Sequence, residues 1–255
     1  FGEAIVYSKL MSGGGSDPEG YWSEQSKRVA WFSEPTQAQT INSDGLAQWF
    51  ADGELNTCYL CLDYHVDQGR GDLDAIVYDS PVTGVKKRYT YHELLQEVAL
   101  FAGALAGLGV GQGDRVIIYL PMIPEAVIAM LACARIGAIH SVVFGGFAAK
   151  ELATRIDDAA PKVILTASCG IEFQQVIPYL PLVNEACELA SHKVDHRVIL
   201  QRPELQAALH DKDLDWQAIT AAATRVSSVA LKATDPLYIL YTSGTTGKPK
   251  GVVRD

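Results

Sequence analysis

Hydrophobic residues recur along the chain with two different spacings, and the two spacings alternate from about residue 74 onwards. Short apolar runs are typical of strands, whereas apolar residues three and four positions apart mark one face of a helix. This pattern predicts strands at 75–78, 87–89, 115–119, 139–143, 162–166, 197–200 and 237–241. It predicts helices at 90–108, 124–136, 149–158, 180–190 and 216–223.

Strands that alternate with helices along a chain form right-handed β-α-β units. In such units neighbouring strands run parallel, and the helices cover both faces of the sheet. We therefore expect an α/β fold built on a mostly parallel sheet flanked by helices.

The helix predicted at 90–108 has clear signals at both ends. Thr90 with Glu93 three residues later matches a capping box, which satisfies free backbone N–H groups at a helix start. Gly109 follows the last apolar position, where glycine is the usual residue at a helix end.

The first 65 residues lack this alternation. Asp17 followed by Pro18 predicts the start of a short helix, because an aspartate can cap it and proline suits its first turn. No clean strand-like run follows before residue 65. The sequence thus predicts two parts, a mainly helical and irregular segment at 1–65 and a larger domain that begins at 66 and runs to 255.

Charge and hydropathy narrow the range of partners. The chain has 255 residues and a net charge of −9. Because such a molecule repels nucleic acids and anionic membrane surfaces, we expect neither as a partner. The longest apolar stretch, 116–144, is interrupted by prolines and by Glu125 and Arg135, which is unlike a membrane span.

The cysteines point to a reduced compartment. There are five of them, in no framework spacing, which is typical of intracellular proteins. Cys58 and Cys61 form one CxxC pair, but no second pair completes a zinc site, so two core residues are the better interpretation. We expect a cytoplasmic location; the alternative is the mitochondrial matrix, with a transit peptide ahead of Phe1.

The most informative stretch follows the apolar strand predicted at 237–241, which we expect to be buried. Residues 242–251 combine hydroxyl side chains, three glycines and two lysines. Glycines let a polyphosphate approach the backbone, and hydroxyls and a lysine supply donors and a positive charge. The carboxyl end of a parallel strand is also where α/β sheets bind ligands. The sequence predicts a phosphate-binding loop formed by Thr242, Ser243, Gly244, Thr245, Thr246, Gly247 and Lys248.

Two other interpretations of this loop are a Walker A loop and a surface turn. A Walker A loop has four residues between its glycines, whereas Gly244 and Gly247 enclose two, and Pro249 opposes the helix that would follow the lysine. A P-loop NTPase is therefore disfavoured. A simple glycine- and threonine-rich surface turn stays open as the alternative.

Residues 241–251 resemble the phosphate loop of the adenylate-forming superfamily, which includes acyl-CoA synthetases, luciferases and nonribosomal adenylation domains. Within that superfamily the chain is similar to the short-chain acyl-CoA synthetases that use acetate or propionate. The resemblance covers nearly the whole chain, and the stretches that carry it are 17–22, 49–56, 113–116, 119–126, 130–147 and 241–251.

The resemblance implies a fold, a reaction and a set of substrates. The fold is the first part of the large N-terminal domain of the adenylate-forming enzymes. In the reaction, a short carboxylate attacks the α-phosphate of Mg²⁺-bound ATP, and CoA then displaces AMP from the acyl-adenylate. The adenine- and ribose-binding motifs, the hinge and the C-terminal domain of the family have no counterpart in the sequence. We expect no catalytic residue and no protein metal ligand within the chain, which is interpreted as an inactive N-terminal fragment.

The resemblance also suggests a second binding region. In the family, the loop that contains Gly145 and Gly146 borders the pantetheine arm of CoA, and Glu172 is a further candidate CoA contact. A tight turn between a strand and a helix is the alternative interpretation of the two glycines. His140 lies in an apolar run, and we interpret it as a core residue rather than a base.

The chain departs from the family at two places. Gln175 stands where a family arginine helps to bind the 3′-phosphate of CoA. In the first segment, Leu60 and Tyr64 replace an asparagine and an arginine. With Gln175 in place of the arginine, the site lacks a charge-assisted hydrogen bond to CoA that is worth about 1.5–3 kcal/mol.

Acid preference rests on few residues. The 251–255 stretch and Glu172 resemble the propionate branch, since acetate enzymes tend to have a histidine at the position of Arg254. We therefore expect propionate as the acid. An acetate-specific enzyme and a non-catalytic protein that binds nucleotide or CoA are the alternatives.

Overall fold

The computed structural model describes residues 17–210, 212–242 and 249–255. The chain divides into two compact units. Described residues up to Asn56 belong to the first unit together with 230–235 and 255, and the second unit holds 57–229 and 236–254. The boundary predicted between residues 65 and 66 stays a prediction.

Helices and strands are numbered in chain order. They are α1 (Pro18–Ser26), β1 (Gln39–Ile41), β2 (Ala47–Trp49), β3 (Glu54–Leu55), α2 (Thr57–Cys61), α3 (Asp63–His65), β4 (Asp74–Asp79), β5 (Lys86–Thr90), α4 (Tyr91–Gly107), β6 (Arg115–Tyr119), α5 (Pro124–Arg135), β7 (Ile139–Val142), α6 (Ala149–Ala159), β8 (Val163–Ala167), β9 (Cys169–Glu172), β10 (Gln175–Pro178), α7 (Leu180–Leu189), β11 (His196–Leu200), β12 (Asp213–Asp215), α8 (Trp216–Ala221), β13 (Leu231–Lys232), β14 (Tyr238–Thr242) and β15 (Lys250–Arg254). A π-helical turn at Val66–Arg70 follows α3.

The first unit begins with the predicted capped helix. The Asp17 side chain accepts a hydrogen bond from the Gly20 N–H at 3.0 Å, and Pro18 opens α1. Beyond α1, β1 pairs with β2 and β3 pairs with β13, both antiparallel. These strands of two or three residues are too short to leave a period-2 pattern in the sequence. They were therefore not predicted within the mainly helical and irregular segment.

The second unit is built on a seven-stranded sheet. The strand order is β12-β11-β8-β6-β7-β14-β15. The first six strands pair in parallel, and β15 pairs antiparallel with β14 at the edge. The prediction of an α/β fold with a mostly parallel sheet is confirmed.

The core lies around the middle strands of this sheet. On β6 and β8, Ile117, Ile118, Ile164 and Leu165 are completely buried. Such continuous burial arises because β7 and β8 lie on opposite sides of β6, so that right-handed crossovers place α5 and α6 on opposite faces.

The ends of α4 follow the sequence signals. The Thr90 hydroxyl oxygen accepts from the Glu93 N–H at 3.2 Å, and the Glu93 carboxylate accepts from the Thr90 N–H at 2.9 Å. Gly109, just after the helix, has a φ of 78°, a conformation that glycine adopts without strain. Both predicted end signals are confirmed.

Four strands of the second unit were not predicted from the sequence. The antiparallel hairpin of β9 and β10 lies where a loop was expected, and β12 and β15 lie in polar or exposed stretches. The hairpin turns at Phe173, whose φ is 55°. Because a non-glycine residue rarely adopts that conformation, the sequence carries no signal for this turn.

The interpretation of the CxxC pair as two core residues is correct for Cys58 and wrong for Cys61. Cys58 is buried, which raises the pKa of its thiol to about 12, and Cys61 is exposed. No group of three or more metal-ligating side chains occurs among the described residues. No described helix is both long and apolar enough to cross a bilayer.

A buried ion pair ties α3 to the end of α5. Arg135 is 5% exposed, and its two terminal nitrogens donate to the Asp63 carboxylate at 2.8 and 3.0 Å. Its Nε donates to the Val226 carbonyl at 2.7 Å. The guanidinium therefore joins three segments of the second unit.

Replacing Asp63 with asparagine tests this ion pair. The substitution leaves a buried guanidinium without its counter-charge, and we expect the free energy of unfolding in urea to fall by about 3–5 kcal/mol. The exposed pair of Arg88 with Asp74 provides the matched control, since R88M should change stability by less than about 1 kcal/mol. Equal effects of D63N and R88M would contradict the structural role assigned to Arg135.

Candidate functional site

The predicted phosphate loop leaves the sheet at Thr242, the last residue of β14. The candidate residues Ser243, Gly244, Thr245, Thr246, Gly247 and Lys248 lie outside the described residues. On the far side, the chain re-enters the sheet in β15, where Lys250 pairs directly with Thr242. The two ends of the loop are thus held side by side at the carboxyl end of a parallel strand.

The strand that carries this loop differs from the prediction in one respect. It was expected to be buried, but β14 is only half-buried, and Leu240 is 52% exposed. The reason lies in its place in the sheet, since only the edge strand β15 lies beyond it in the strand order.

Helix α6 fixes the end of β14. The Tyr241 hydroxyl donates to the Asp158 carboxylate at 2.7 Å. Burial, and then the neighbouring Asp158 carboxylate, raise the pKa of Tyr241. The hydroxyl therefore stays protonated at neutral pH and remains a donor.

The second candidate region begins where β7 ends. A side chain on Gly145 would place its Cβ 2.3 Å from the Tyr179 hydroxyl oxygen. On Gly146, a Cβ would lie 2.6 Å from the Phe144 ring and 2.9 Å from a Glu172 carboxylate oxygen. Gly145 therefore requires glycine beside the buried Tyr179 ring, whereas a side chain on Gly146 would have to displace the exposed Phe144 ring and the Glu172 carboxylate.

The structure brings the three predicted CoA candidates together. Glu172 ends β9, and the hairpin of β9 and β10 carries it to Gly146. A third glycine, Gly170, approaches Tyr179 as closely as Gly145 does, because its Cβ would lie 2.2 Å from the same hydroxyl oxygen. The sequence reading did not single out Gly170.

Two tyrosines support this region and were also missed. The rings of Tyr119 and Tyr179 lie 5.0 Å apart, and the Tyr119 hydroxyl donates to the Phe147 carbonyl at 2.8 Å. Burial raises the pKa of both hydroxyls, and the Glu172 carboxylate adds to the effect. Each tyrosine stands in an apolar run, so the sequence gives no sign that it adjoins a glycine loop.

The tip of the hairpin is open to solvent. Phe173 is 96% exposed, and Gln175 pairs across the hairpin with Glu172. Gln175 is exposed as well. The residue that replaces the family arginine therefore stands on the surface beside a candidate CoA contact.

His140 lies inside the sheet rather than at its edge. It is 9% exposed, and burial lowers its pKa to about 4, so the ring is neutral at pH 7. Its Nδ1 makes no hydrogen bond within the described part of the chain. These features agree with the interpretation as a core residue, although the ring is less well satisfied than a typical buried histidine.

Comparison with known families gives two matches. The family described as AMP-binding enzyme matches residues 63–255, and the family described as acetyl-coenzyme A synthetase N-terminus matches residues 7–61.

Similar proteins are longer than this chain. An uncharacterized protein of Pseudomonas aeruginosa is 57% identical over 241 residues, which are 94% of this chain and 38% of that protein. The human mitochondrial acyl-CoA synthetase short-chain family member 3 is 46% identical over 255 residues, or 99% of this chain and 37% of that protein. The chain thus spans less than two fifths of the length of these relatives.

A solved structure has the same fold. The acetoacetyl-CoA synthetase from Streptomyces lividans superimposes with a TM-score of 0.84 at 27% sequence identity, and the match covers 97% of this chain and 38% of that one. The fold therefore corresponds to part of a longer synthetase structure. By its sequence and its fold, the chain belongs to the AMP-binding enzyme family and is similar to the short-chain acyl-CoA synthetases of that family.

Proposed function

We propose that the chain forms the ATP-phosphate loop and part of the CoA site of an AMP-forming acyl-CoA ligase that activates a short carboxylic acid. The observation that carries this proposal is the loop rich in hydroxyls, glycine and lysine after the parallel strand β14, in a chain of the AMP-binding family. Because the similar proteins are longer, the ligase is proposed for the full-length protein.

The first step joins two anions, and the loop lowers the cost of bringing them together. The acid's carboxylate oxygen bonds to the α-phosphorus of ATP, and the bond from that phosphorus to pyrophosphate breaks. Backbone and hydroxyl donors of the loop, with the Lys248 cation, would hold the β- and γ-phosphates. Mg²⁺ enters with the nucleotide and shares this charge. No protein nucleophile is needed, since the acid itself attacks.

The second step transfers the acyl group to CoA. The CoA sulfur bonds to the acyl carbonyl carbon, the bond from that carbon to the AMP oxygen breaks, and the thiol proton is released to solvent. In the proposal, the pantetheine arm passes over Gly145 and Gly146, where the lack of side chains permits close approach. Glu172 stands next to Gly146 and would contact the same arm.

Propionate is the proposed acid. The support is the resemblance of residues 251–255 and of Glu172 to the propionate branch. Acetate is the alternative, and the match of residues 7–61 to the acetyl-coenzyme A synthetase N-terminus favours it. We place the protein in the cytoplasm, with the mitochondrial matrix as the alternative because a similar human protein is described as mitochondrial.

An acid panel tests the proposed function. The full-length protein, supplied with ATP, Mg²⁺ and CoA, should release AMP with propionate at a higher kcat/KM than with acetate or butyrate. Quantifying AMP and the acyl-CoA product by chromatography checks this. A higher kcat/KM with acetate would show that acetate, not propionate, is the acid. Nucleotide binding without AMP release would favour the non-catalytic alternative.

Substituting Lys248 with alanine tests the phosphate loop. Loss of one cation at the β- and γ-phosphates should reduce acid-dependent ATP–pyrophosphate exchange by about 100-fold or more, with little change in unfolding. K86A, which removes a lysine from the exposed ion pair with Asp79, is the control and should catalyse ATP–pyrophosphate exchange at the normal rate. Normal exchange by K248A would show that the loop has been assigned wrongly.

Gln175 allows a gain-of-binding test. In full-length protein, Q175R restores a cation at the proposed 3′-phosphate contact, and the KM for CoA should fall about tenfold or more. The KM for 3′-dephospho-CoA, which lacks that phosphate, should not change. An equal change for both thiols would place residue 175 away from the 3′-phosphate.

A further inference from the structure

One face of α6 contacts the glycine loop, residues 144–147, and the end of β14, where the phosphate loop begins. Glu151, Arg155 and Asp158 are spaced by four and three residues, so they lie along one side of the helix. The Arg155 guanidinium lies 4.7 Å from the centre of the Phe147 ring and 5.3 Å from the centre of the Tyr241 ring. One cation therefore contacts two aromatic rings, one in the glycine loop and one at the end of β14.

Arg155 itself is held in place. It is 6% exposed, and its Nη1 donates to the Glu151 carbonyl at 2.7 Å and to the Glu151 carboxylate at 3.0 Å. A guanidinium over an aromatic face is attracted by the negative face of the ring, and the attraction strengthens when water is excluded. Movement of either ring would therefore disturb a buried, hydrogen-bonded cation.

Phe147 lies in the glycine loop, and Tyr241 lies at the end of β14, just before the phosphate loop. Phe147 follows Gly146 directly, its N–H donates to the Phe144 carbonyl at 3.0 Å, and its carbonyl accepts from the Tyr119 hydroxyl. On the other side, Tyr241 precedes Thr242, where the phosphate loop begins, and its hydroxyl is bound to α6. The Phe147 ring is thus fixed to the glycine loop, and the Tyr241 ring is fixed to the end of β14.

We propose that Arg155 is a positioning residue that links the phosphate loop to the glycine loop, so that nucleotide binding at one orders the other for CoA. This proposal rests on the proposed function, because it assigns ATP to the first loop and CoA to the second. Arg155 reaches the substrates through Phe147 and Tyr241 and takes no part in bond making.

Hydrogen exchange of the full-length protein measures this link without relying on turnover. In the parent protein, Mg²⁺ and ATP should slow amide exchange at residues 242–251 and also at 144–147. In R155M, which keeps a long apolar side chain but removes the cation, ATP should still slow exchange at 242–251, and the effect at 144–147 should disappear. R155K keeps a cation between the rings and should retain most of the effect.

Kinetics provide a second readout. R155M should lower kcat/KM for CoA by about tenfold to 100-fold, the size expected when a binding group is displaced by up to 1 Å, while ATP–pyrophosphate exchange changes much less. Phe147→Leu removes the ring on the glycine-loop side and should reproduce the hydrogen-exchange pattern of R155M. This second variant keeps the test valid if R155M does not fold. R88M, from an exposed ion pair on β5, is the matched control and should behave as the parent protein.

The outcomes separate the two proposals. If ATP slows exchange at 144–147 in R155M or F147L as strongly as in the parent, the link through Arg155 is wrong, although the ATP site stands. If ATP leaves residues 242–251 unprotected in the parent, the proposed function fails, and the link fails with it.

Discussion

The arrangement of the candidate site depends on the parallel pairing of two strands that are distant in the sequence. β14 joins β7 in parallel, with Tyr238 opposite His140. Because the carboxyl ends of parallel strands lie at the same edge of a sheet, the glycine loop after β7 and the loop after β14 leave from one edge. Helix α6 begins just after the first loop and contacts the end of the second strand at Tyr241. Sheet pairing brings the starts of both loops to one edge, and side chains of one helix contact Phe147 in the first loop and Tyr241 at the end of β14.

The fold of the larger unit was predictable from the sequence in the strands and helices whose side chains are buried, because burial requires apolar residues there. The middle strands and the helices between them follow from apolar spacing, because a parallel sheet covered on both faces admits little else. The hairpin of β9 and β10 could not be predicted, since only one residue separates the end of β8 from the start of β9 and the turn uses an unfavourable φ at Phe173. The edge strand β15 is exposed along its whole length and therefore has no hydrophobic pattern.

The candidate site was predictable only where its chemistry requires unusual residues. Gly145 and Gly146 were singled out through the resemblance to the family, and the structure shows that a Cβ at either position would meet a neighbouring side chain. Tyr179 and Arg155 did not stand out, because a tyrosine in an apolar run and an arginine on a helix are ordinary residues until the fold places them. Such supporting contacts depend on tertiary structure, which brings together residues that lie far apart along the chain.

The most direct measurement is a crystal structure of the full-length protein with Mg²⁺ and a non-hydrolysable ATP analogue. The account predicts that the β- and γ-phosphates contact the backbone and hydroxyl groups of residues 242–247 and the Lys248 ammonium group. A triphosphate bound elsewhere, with residues 242–248 free of any contact to it, would contradict the account.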